Sequence, residues 1–169
     1  MIDNFKTPET EWLSNMYPCR VLYEGVVYPS AEHAYAAQKA VDWLDREEIA
    51  QAKTGYLAKQ MGAAVQKRAD WDQVKMRVML EVLRAKFFNN DFLGDKLLAT
   101  GSQELVEGNW WHDTFWGVCE GVGENHLGKL LMQVRRELEA RRLYQGLNPV
   151  MQAVFLASTS DAEFKEALL

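Results

Sequence analysis

Cysteine is nearly absent from the 169-residue sequence: Cys19 and Cys119 are the two present, and they form no paired motif. They read as reduced thiols of a cytosolic protein rather than as a disulfide framework. Histidine is almost as scarce. His33, His112 and His126 are scattered along the chain, and Glu32-His33 is not the two-histidine helical motif of a zinc site. Neither a metal nor a cofactor is therefore expected. No apolar run approaches the length needed to span a bilayer, and the start Met1-Ile2-Asp3-Asn4-Phe5 lacks the basic residues and apolar stretch of a secretory signal. The expected location is cytoplasmic, with no membrane partner. There is no excess of basic residues: the net charge of −5 argues against a wholly basic nucleic-acid binder, while leaving room for a local basic patch. Gly121-Val122-Gly123 lacks the following glycine of a dinucleotide fingerprint, so no phosphate-cradling loop is present. Repeats, low-complexity tracts and linkers are missing too. What remains is the composition of one soluble globular domain over 1–169, large enough for a real core.

Against these absences stands one dense stretch, residues 100–128. It holds three of the six tryptophans, Trp110, Trp111 and Trp116, interleaved with Asn109, His112, Asp113 and several glycines. A core strand or helix does not mix large aromatics, a carboxylate and glycines so closely. The wall of a small-molecule pocket does, because it combines apolar surface with a few placed polar groups.

The remaining pattern predicts a predominantly helical α+β domain with a small antiparallel sheet. Cys19-Arg20-Val21-Leu22-Tyr23 and Val26-Val27-Tyr28 form a hairpin about Glu24-Gly25. Ser30 caps a helix over 31–41 that puts Glu32, Ala36 and Lys39 on one face, with Tyr35 and Gln38 nearby. Short helices follow over 46–53 and 54–61, the second stopped by Gly62. Asp70 caps a long helix over 71–89, whose two apolar stripes require burial over much of its circumference. A further helix over 92–99, a short strand over 104–107 and a structured loop over 108–124 lead to Asn125. That residue opens the last long helix, with its stripe of Leu127, Leu130, Leu131, Val134 and Leu138. Terminal helices are expected over 151–156 and 164–168, the latter announced by a capping box at Ser160-Asp161-Ala162-Glu163.

The chemistry this composition favours is carboxylates among tryptophans. Glu32 and Asp113 each sit beside aromatics, where desolvation raises a carboxyl pKa. Aromatic walls stack nucleobases, and two carboxylates suit glycosidic cleavage. The competing readings are a core with two exposed acids, a dipole-complementing role for Glu32, and a Cys119 nucleophile with His112 or His126 as its base.

Several ordered motifs then resemble the YbiA-like family, also called NADAR. They are Leu13-Ser14-Asn15-Met16-Tyr17-Pro18, Tyr28-Pro29-Ser30-Ala31-Glu32-His33 with Gln38-Lys39-Ala40, Asp70-Trp71-Asp72 and Ala85-Lys86-Phe87. Thr100-Gly101, Leu105-Val106-Glu107-Gly108-Asn109, Trp111-His112-Asp113, Phe115-Trp116-Gly117-Val118 and the run from Gly123 to Met132 complete the set. The shared pattern covers about 13–138, leaving 139–169 as a C-terminal helical extension outside it.

The resemblance implies a family fold of packed helices with a small sheet, and hydrolysis of the N-glycosidic bond between a ribose and a base. YbiA-like members act on phosphorylated ribosylaminopyrimidine intermediates of riboflavin biosynthesis and release ribose 5-phosphate. Other members remove ADP-ribose from guanine in nucleic acid. The family's catalytic glutamate, tryptophan and aspartate fall on Glu32, Trp71 and Asp113. Trp71 and Trp116 are placed to stack on the base, and Trp110-Trp111-His112 to decide which base is read. Lys39 is expected to bind phosphate, to steady Glu32 or, as a sharper alternative, to attack the sugar carbon. Asn15, Asn109 and Asn125 are candidate hydrogen-bonders to ribose or base. Turn formation for Asn15 and Asn109, and helix capping for Asn125, are their alternatives. The expected partner is a small ribosyl-base or ADP-ribosyl substrate, with ADP-ribosylated DNA as the second reading. A non-catalytic ADP-ribose-binding module is the third, and an interaction protein whose aromatics are only core the fourth. The sequence gives no oligomeric state.

Overall fold

Glu24 and Gly25 both adopt positive φ, 48° and 77°, and close a tight turn between β1 (Val21–Tyr23) and β2 (Val26–Tyr28). Two positive-φ residues give the backbone twist that an antiparallel hairpin requires. The register pairs Val21 with Tyr28 and Leu22 with Val27. The first pair is buried and the second exposed, so the hairpin presents one face to the core. The computed structural model describes residues 1–168; the side chain of Glu163 and residue 169 lie outside the described set.

The helix that follows, α1 (Ala31–Ala37), is buried along its whole length. Four of its seven residues are alanines with no exposed surface. Their short side chains let neighbours approach from several sides. Packed round α1 are α2 (Trp43–Ala50), α3 (Gly55–Ala64) and α4 (Trp71–Phe88). Ser30 caps α1 as expected, its Oγ accepting the N–H of His33 at 3.3 Å. The ring of His33 is satisfied at both nitrogens, by Ser30 Oγ at 2.7 Å and the Ala52 carbonyl at 3.0 Å. It therefore ties the start of α1 to the α2–α3 junction.

The second half of the molecule is built on α4, α5 (Asp91–Ala99) and α6 (His126–Gly146), which share one hydrophobic core with α1 and the hairpin. Val82 and Leu83 of α4 and Leu131 and Val134 of α6 have no exposed surface. Burying one such leucine contributes about 1.5–3 kcal/mol. A bidentate pair joins the same two helices, Arg84 Nε and Nη2 donating to Glu137 at 2.7 and 2.8 Å. The chain ends in α7 (Pro149–Ser158) and α8 (Ala162–Leu168), of which α8 packs on α6. Among the described residues no helix is long and apolar enough to cross a membrane.

Local differences from the sequence expectations each have a physical reason. Helix α1 stops at Ala37 rather than near 41, because the chain beyond it pairs with 66–68: Val41 N–H donates to the Gln66 carbonyl and Arg68 N–H to that of Lys39. Helix α2 begins at Trp43, three residues early, since Asp42 accepts the N–H of Leu44 at 2.8 Å. Gly62 lies inside α3 instead of ending it. A Cβ there would stand 2.9 Å from Ala36 Cβ and 3.0 Å from the Ala36 carbonyl oxygen, so the glycine is a contact point between α3 and α1. Asp70 occupies the cap position of α4, but its carboxylate is held by Arg68 at 2.6 and 2.8 Å and makes no cap bond. Residues 104–107 form no strand of their own. Leu105 bridges to Ile2, and the strand pair is β3 (Gly108–Asn109) with β4 (Val118–Cys119), parallel. Asp161 rather than Ser160 accepts the N–H of Phe164, at 3.0 Å; the Glu163 side chain of the expected capping box is outside the described residues.

Lys86 is the most unusual core residue. It is fully buried in α4, and its ammonium donates to the Ser14 carbonyl at 2.8 Å. Burial pulls its pKa down to about 8, against a weaker opposing pull from Cys19.

Gly62→Ala overpacks the α1–α3 contact at a cost of about 1–3 kcal/mol, partly offset by about 1 kcal/mol of helix propensity. A lower urea midpoint is expected, and an unchanged or raised one would refute the contact. For Lys86 the folded pKa lies below the ordinary value of 10.5. Between about 8 and 10.5 the unfolded chain thus binds more protons than the folded one, and stability rises with pH. The stability of the native protein relative to Lys86→Met should climb across that window in urea titrations, and a flat difference would mean that burial does not lower the pKa of this amine.

Candidate active site

A cavity of about 1180 Å³ opens between α1, α3, the N-terminus of α4 and the loop that follows β3. Its aromatic wall is organised by Tyr35 of α1. The Tyr35 ring meets Trp71 at 5.1 Å and Trp116 edge-on at 5.6 Å. Trp71 is 8% exposed and sits at the first position of α4, so the helix start fixes its depth. Trp116 packs in turn against Phe115 and His126. Such edge-to-face contacts hold rings at defined angles, which gives a base a rigid surface to lie on.

Four carboxylates line the same cavity, Glu32, Asp72, Glu107 and Asp113, of which Asp72 is held by the Lys75 ammonium at 3.0 Å. Glu32 is in the first turn of α1 and 7% exposed. Its backbone N–H donates to the Asn15 carbonyl at 2.9 Å, so the turn holding Asn15 and the helix carrying Glu32 are locked together. Burial raises the Glu32 pKa; Lys39 and Lys59 oppose this, and Asp113 adds to it. Asn15 also lines the cavity. Its amide nitrogen contacts Met79 Sδ at 3.3 Å, while its buried Oδ1 has no partner. Lys39, at the turn after α1, holds its ammonium 4.9 Å above the Tyr35 ring. Burial lowers the Lys39 pKa, and Glu32 partly restores it.

Asp113 is placed by backbone bonds rather than by a helix. Asn109 clamps it from both sides, Nδ2 donating to the Asp113 carbonyl at 2.8 Å and Oδ1 accepting its N–H at 3.0 Å. Asp113 Oδ1 accepts the N–H of Trp116 at 2.9 Å, which fixes the carboxylate. Asn109 is thus a loop former and is not on the cavity wall. Asn125 does not reach the cavity either. Its Oδ1 accepts the N–H of Glu107 at 3.0 Å and its Nδ2 donates to the Leu105 carbonyl at 2.9 Å. With both amide groups used, it neither caps α6 nor has a group free for a ligand. The loop caps α6 instead: the N–H groups of Asn125, His126 and Leu127 donate to the carbonyls of Gly117, Phe115 and Trp116. Asn125 meets this demand with left-handed backbone, φ 52°.

Trp111 lies at the mouth, 37% exposed, and stacks edge-on with the more exposed Trp110 at 5.2 Å. The Lys6 ammonium sits over both rings, 3.1 Å from the centroid of Trp111 and 4.0 Å from that of Trp110. His112 is not on the cavity wall; it takes left-handed backbone with φ 61°, and its Nδ1 is 3.7 Å from Cys119 Sγ. That pair is outside the cavity wall, so a Cys119 nucleophile has no site to act in.

Seven of the nine residues singled out from the sequence therefore line one cavity: Glu32, Trp71, Asp113, Asn15, Lys39, Trp111 and Trp116. Asn109 and Asn125 do not. The sequence reading missed Tyr35, Glu107 and five of the six lysines as site residues. Tyr35 is one helical turn from Glu32, a spacing that signals a shared face. Glu107 follows the alternation of Leu105 and lies on the same side as that buried leucine. Lys6, Lys53, Lys59, Lys67 and Lys75 come from five separate segments, and only the fold gathers them with Lys39 at the cavity. Among the described residues, no group of three or more His, Cys, Asp or Glu side chains converges closely enough to hold a metal ion.

Known proteins match both the sequence and this architecture. The NADAR domain model matches residues 4–139. A riboflavin biosynthesis protein of Vibrio vulnificus is 39% identical over 136 residues, 79% of this chain; the chain spans 37% of that longer protein. N-glycosidase YbiA of Escherichia coli is 37% identical over 142 residues, covering 81% of this chain and 88% of YbiA. An N-glycosidase of Nostoc punctiforme is 38% identical over 131 residues, covering 74% of this chain and 83% of that protein. The solution structure of E. coli YbiA superposes with a TM-score of 0.76 at 36% identity, covering 85% of this chain and 89% of YbiA. Sequence, fold and the extent of both matches agree, and the chain belongs to the NADAR family.

Proposed function

We infer that this chain is an N-glycosidase, a hydrolase of the bond between a ribose C1′ and a base nitrogen. We propose phosphorylated ribosylaminopyrimidine intermediates of riboflavin biosynthesis as its substrates and ribose 5-phosphate as the sugar product. The observation that carries this reading is the charge of the cavity. Six lysines and four carboxylates line it, in a protein whose net charge is −5. Desolvated acids beside a rigid aromatic wall suit a cation-like sugar carbon and its base, and clustered ammonium groups suit a phosphate. The names carried by the relatives, N-glycosidase and riboflavin biosynthesis protein, support the same substrate class.

The chemistry runs through an oxocarbenium-like C1′. The base lies against Trp71, Tyr35 and Trp116, and the phosphate is drawn to the lysines. Glu32 and Asp113 divide the stabilisation of the positive sugar carbon and the activation of water. Asp113 suits the water, because the Trp116 N–H holds one of its oxygens and leaves the other for a ligand. Lys39, with its pKa lowered by burial, is a short-range cation for the phosphate.

Cavity size favours a second reading. About 1180 Å³ exceeds the usual 300–1000 Å³ of a small-molecule pocket and leaves room for an ADP-ribosyl group. Following base release from a ribosylaminopyrimidine 5-phosphate and from ADP-ribosylated guanine DNA in parallel separates the two. Release from the first alone supports the riboflavin assignment, from the second alone the repair assignment; release from neither, with ADP-ribose still bound, would leave a binding module and refute the enzyme.

Glu32→Gln and Asp113→Asn are each expected to lower kcat by about 100-fold or more while the melting curve stays unchanged. A near-normal rate in either folded variant removes that residue from the chemistry.

A further inference from the structure

Glu107 has no part in the chemistry above, yet it lines the same cavity as Glu32 and Asp113. It is 8% exposed, and its Oε2 is buried without a hydrogen-bond partner. A buried carboxylate oxygen that accepts no donor is costly to keep ionised. Neutralising the carboxyl relieves that cost, and a neutral acid on the cavity wall carries a proton that a ligand there can take.

The backbone that carries this side chain is held on both sides. On one side the Glu107 N–H donates to Asn125 Oδ1 at 3.0 Å; on the other its carbonyl accepts the N–H of Val118 at 2.9 Å. Gly117 packs flat against it, and a Cβ there would come within 2.2 Å of the Glu107 carbonyl oxygen and 3.1 Å of its Cγ. A glycine, an asparagine and a strand backbone thus fix one acid at the cavity wall. Preorganisation of this kind is what a proton donor to a developing charge needs.

We propose that Glu107 is a third catalytic acid, the proton donor to the leaving base. The assignment rests on the N-glycosidase reading and deepens it. As the C1′–N bond breaks, its electron pair goes to the base nitrogen, which takes the Glu107 proton. Water adds its oxygen to C1′ and gives a proton to Glu32 or Asp113. Proton exchange with solvent then restores Glu107.

The charged groups facing Glu107 come from every neighbouring segment: Lys6 before the first turn, Glu32 on α1, Lys59 on α3 and Asp113 on the loop. The lysines favour its carboxylate and the acids oppose it. Burial outweighs both and pushes the carboxyl up to about 7. The group is thus protonated below that pH and ionised above it. A rate that needs the acid falls as pH rises through about 7.

The test compares the native enzyme with Glu107→Gln on a ribosylaminopyrimidine 5-phosphate and on p-nitrophenyl ribofuranoside 5-phosphate, whose leaving group needs no proton. Base release by the variant should fall about 100-fold or more, and the alkaline limb near pH 7 should vanish. Nitrophenolate release should stay close to the native rate. A variant that keeps the native rate of base release, retains the alkaline limb, or loses both reactions equally with an unchanged melting curve overturns the assignment of Glu107 alone. A native enzyme that releases base from neither a ribosylaminopyrimidine phosphate nor ADP-ribosylated guanine sinks the N-glycosidase reading, and this assignment falls with it.

Discussion

Keeping acids out of water is the constraint on which the rest of this structure depends. Burial dominates the shifts of both Glu32 and Glu107; Asp113 further discourages ionisation of both, and Glu32 that of Glu107. Left alone, such groups would draw water in or swing out to reach it. The protein prevents this with a buried, alanine-rich helix under Glu32 and a clamped backbone under Glu107. Lys39 and Lys59 pull against the desolvation of Glu32, and Lys6 and Lys59 against that of Glu107. The cavity is therefore a balance between desolvation and partial neutralisation. At Glu107 that balance keeps acid and base forms within reach near neutral pH, the condition for proton transfer in either direction.

The clamp itself hangs on Asn125. Its amide stitches the 105–107 backbone to the start of α6, while the loop carbonyls of Phe115, Trp116 and Gly117 take up donors at the same helix end. Helix α6 is anchored in the core by Leu131 and Val134. Core packing is thereby transmitted to the two acids of the loop, Glu107 through Asn125 and Asp113 through Trp116. Neither acid has a helix or a long strand of its own to hold it. The shortness of β3 and β4 explains why: two-residue strands register the loop without flattening it.

The sequence made much of this legible. Helical periodicity marked α4 and α6, because their apolar stripes are long. The hairpin followed from Glu24-Gly25, and the cavity wall from the density of tryptophan, asparagine and aspartate. What stayed hidden depends on contacts between distant segments. Gly62 looks like a helix stop in one dimension, and only the approach of Ala36 makes it a packing point. Asp70 looks like a cap until Arg68 occupies it. Asn125 has the composition of a cap or a ligand, but its partners lie 18 and 20 residues back along the chain. Glu107 looks like one more surface glutamate until Leu105 fixes which way the segment faces. The lysines carry no local signal at all, since a charge at the mouth of a cavity and one on a free surface occupy the same kind of sequence.

Desolvated, preorganised acids are the central claim, and site-resolved carboxyl titration reads them without any substrate. Carbon-13 NMR of glutamate carboxyl groups, assigned with Glu32→Gln and Glu107→Gln, follows each proton directly. The account predicts that Glu107 titrates near pH 7 and Glu32 above the ordinary glutamate value of 4.5. Both groups titrating at about 4.5, as exposed glutamates do, would contradict it.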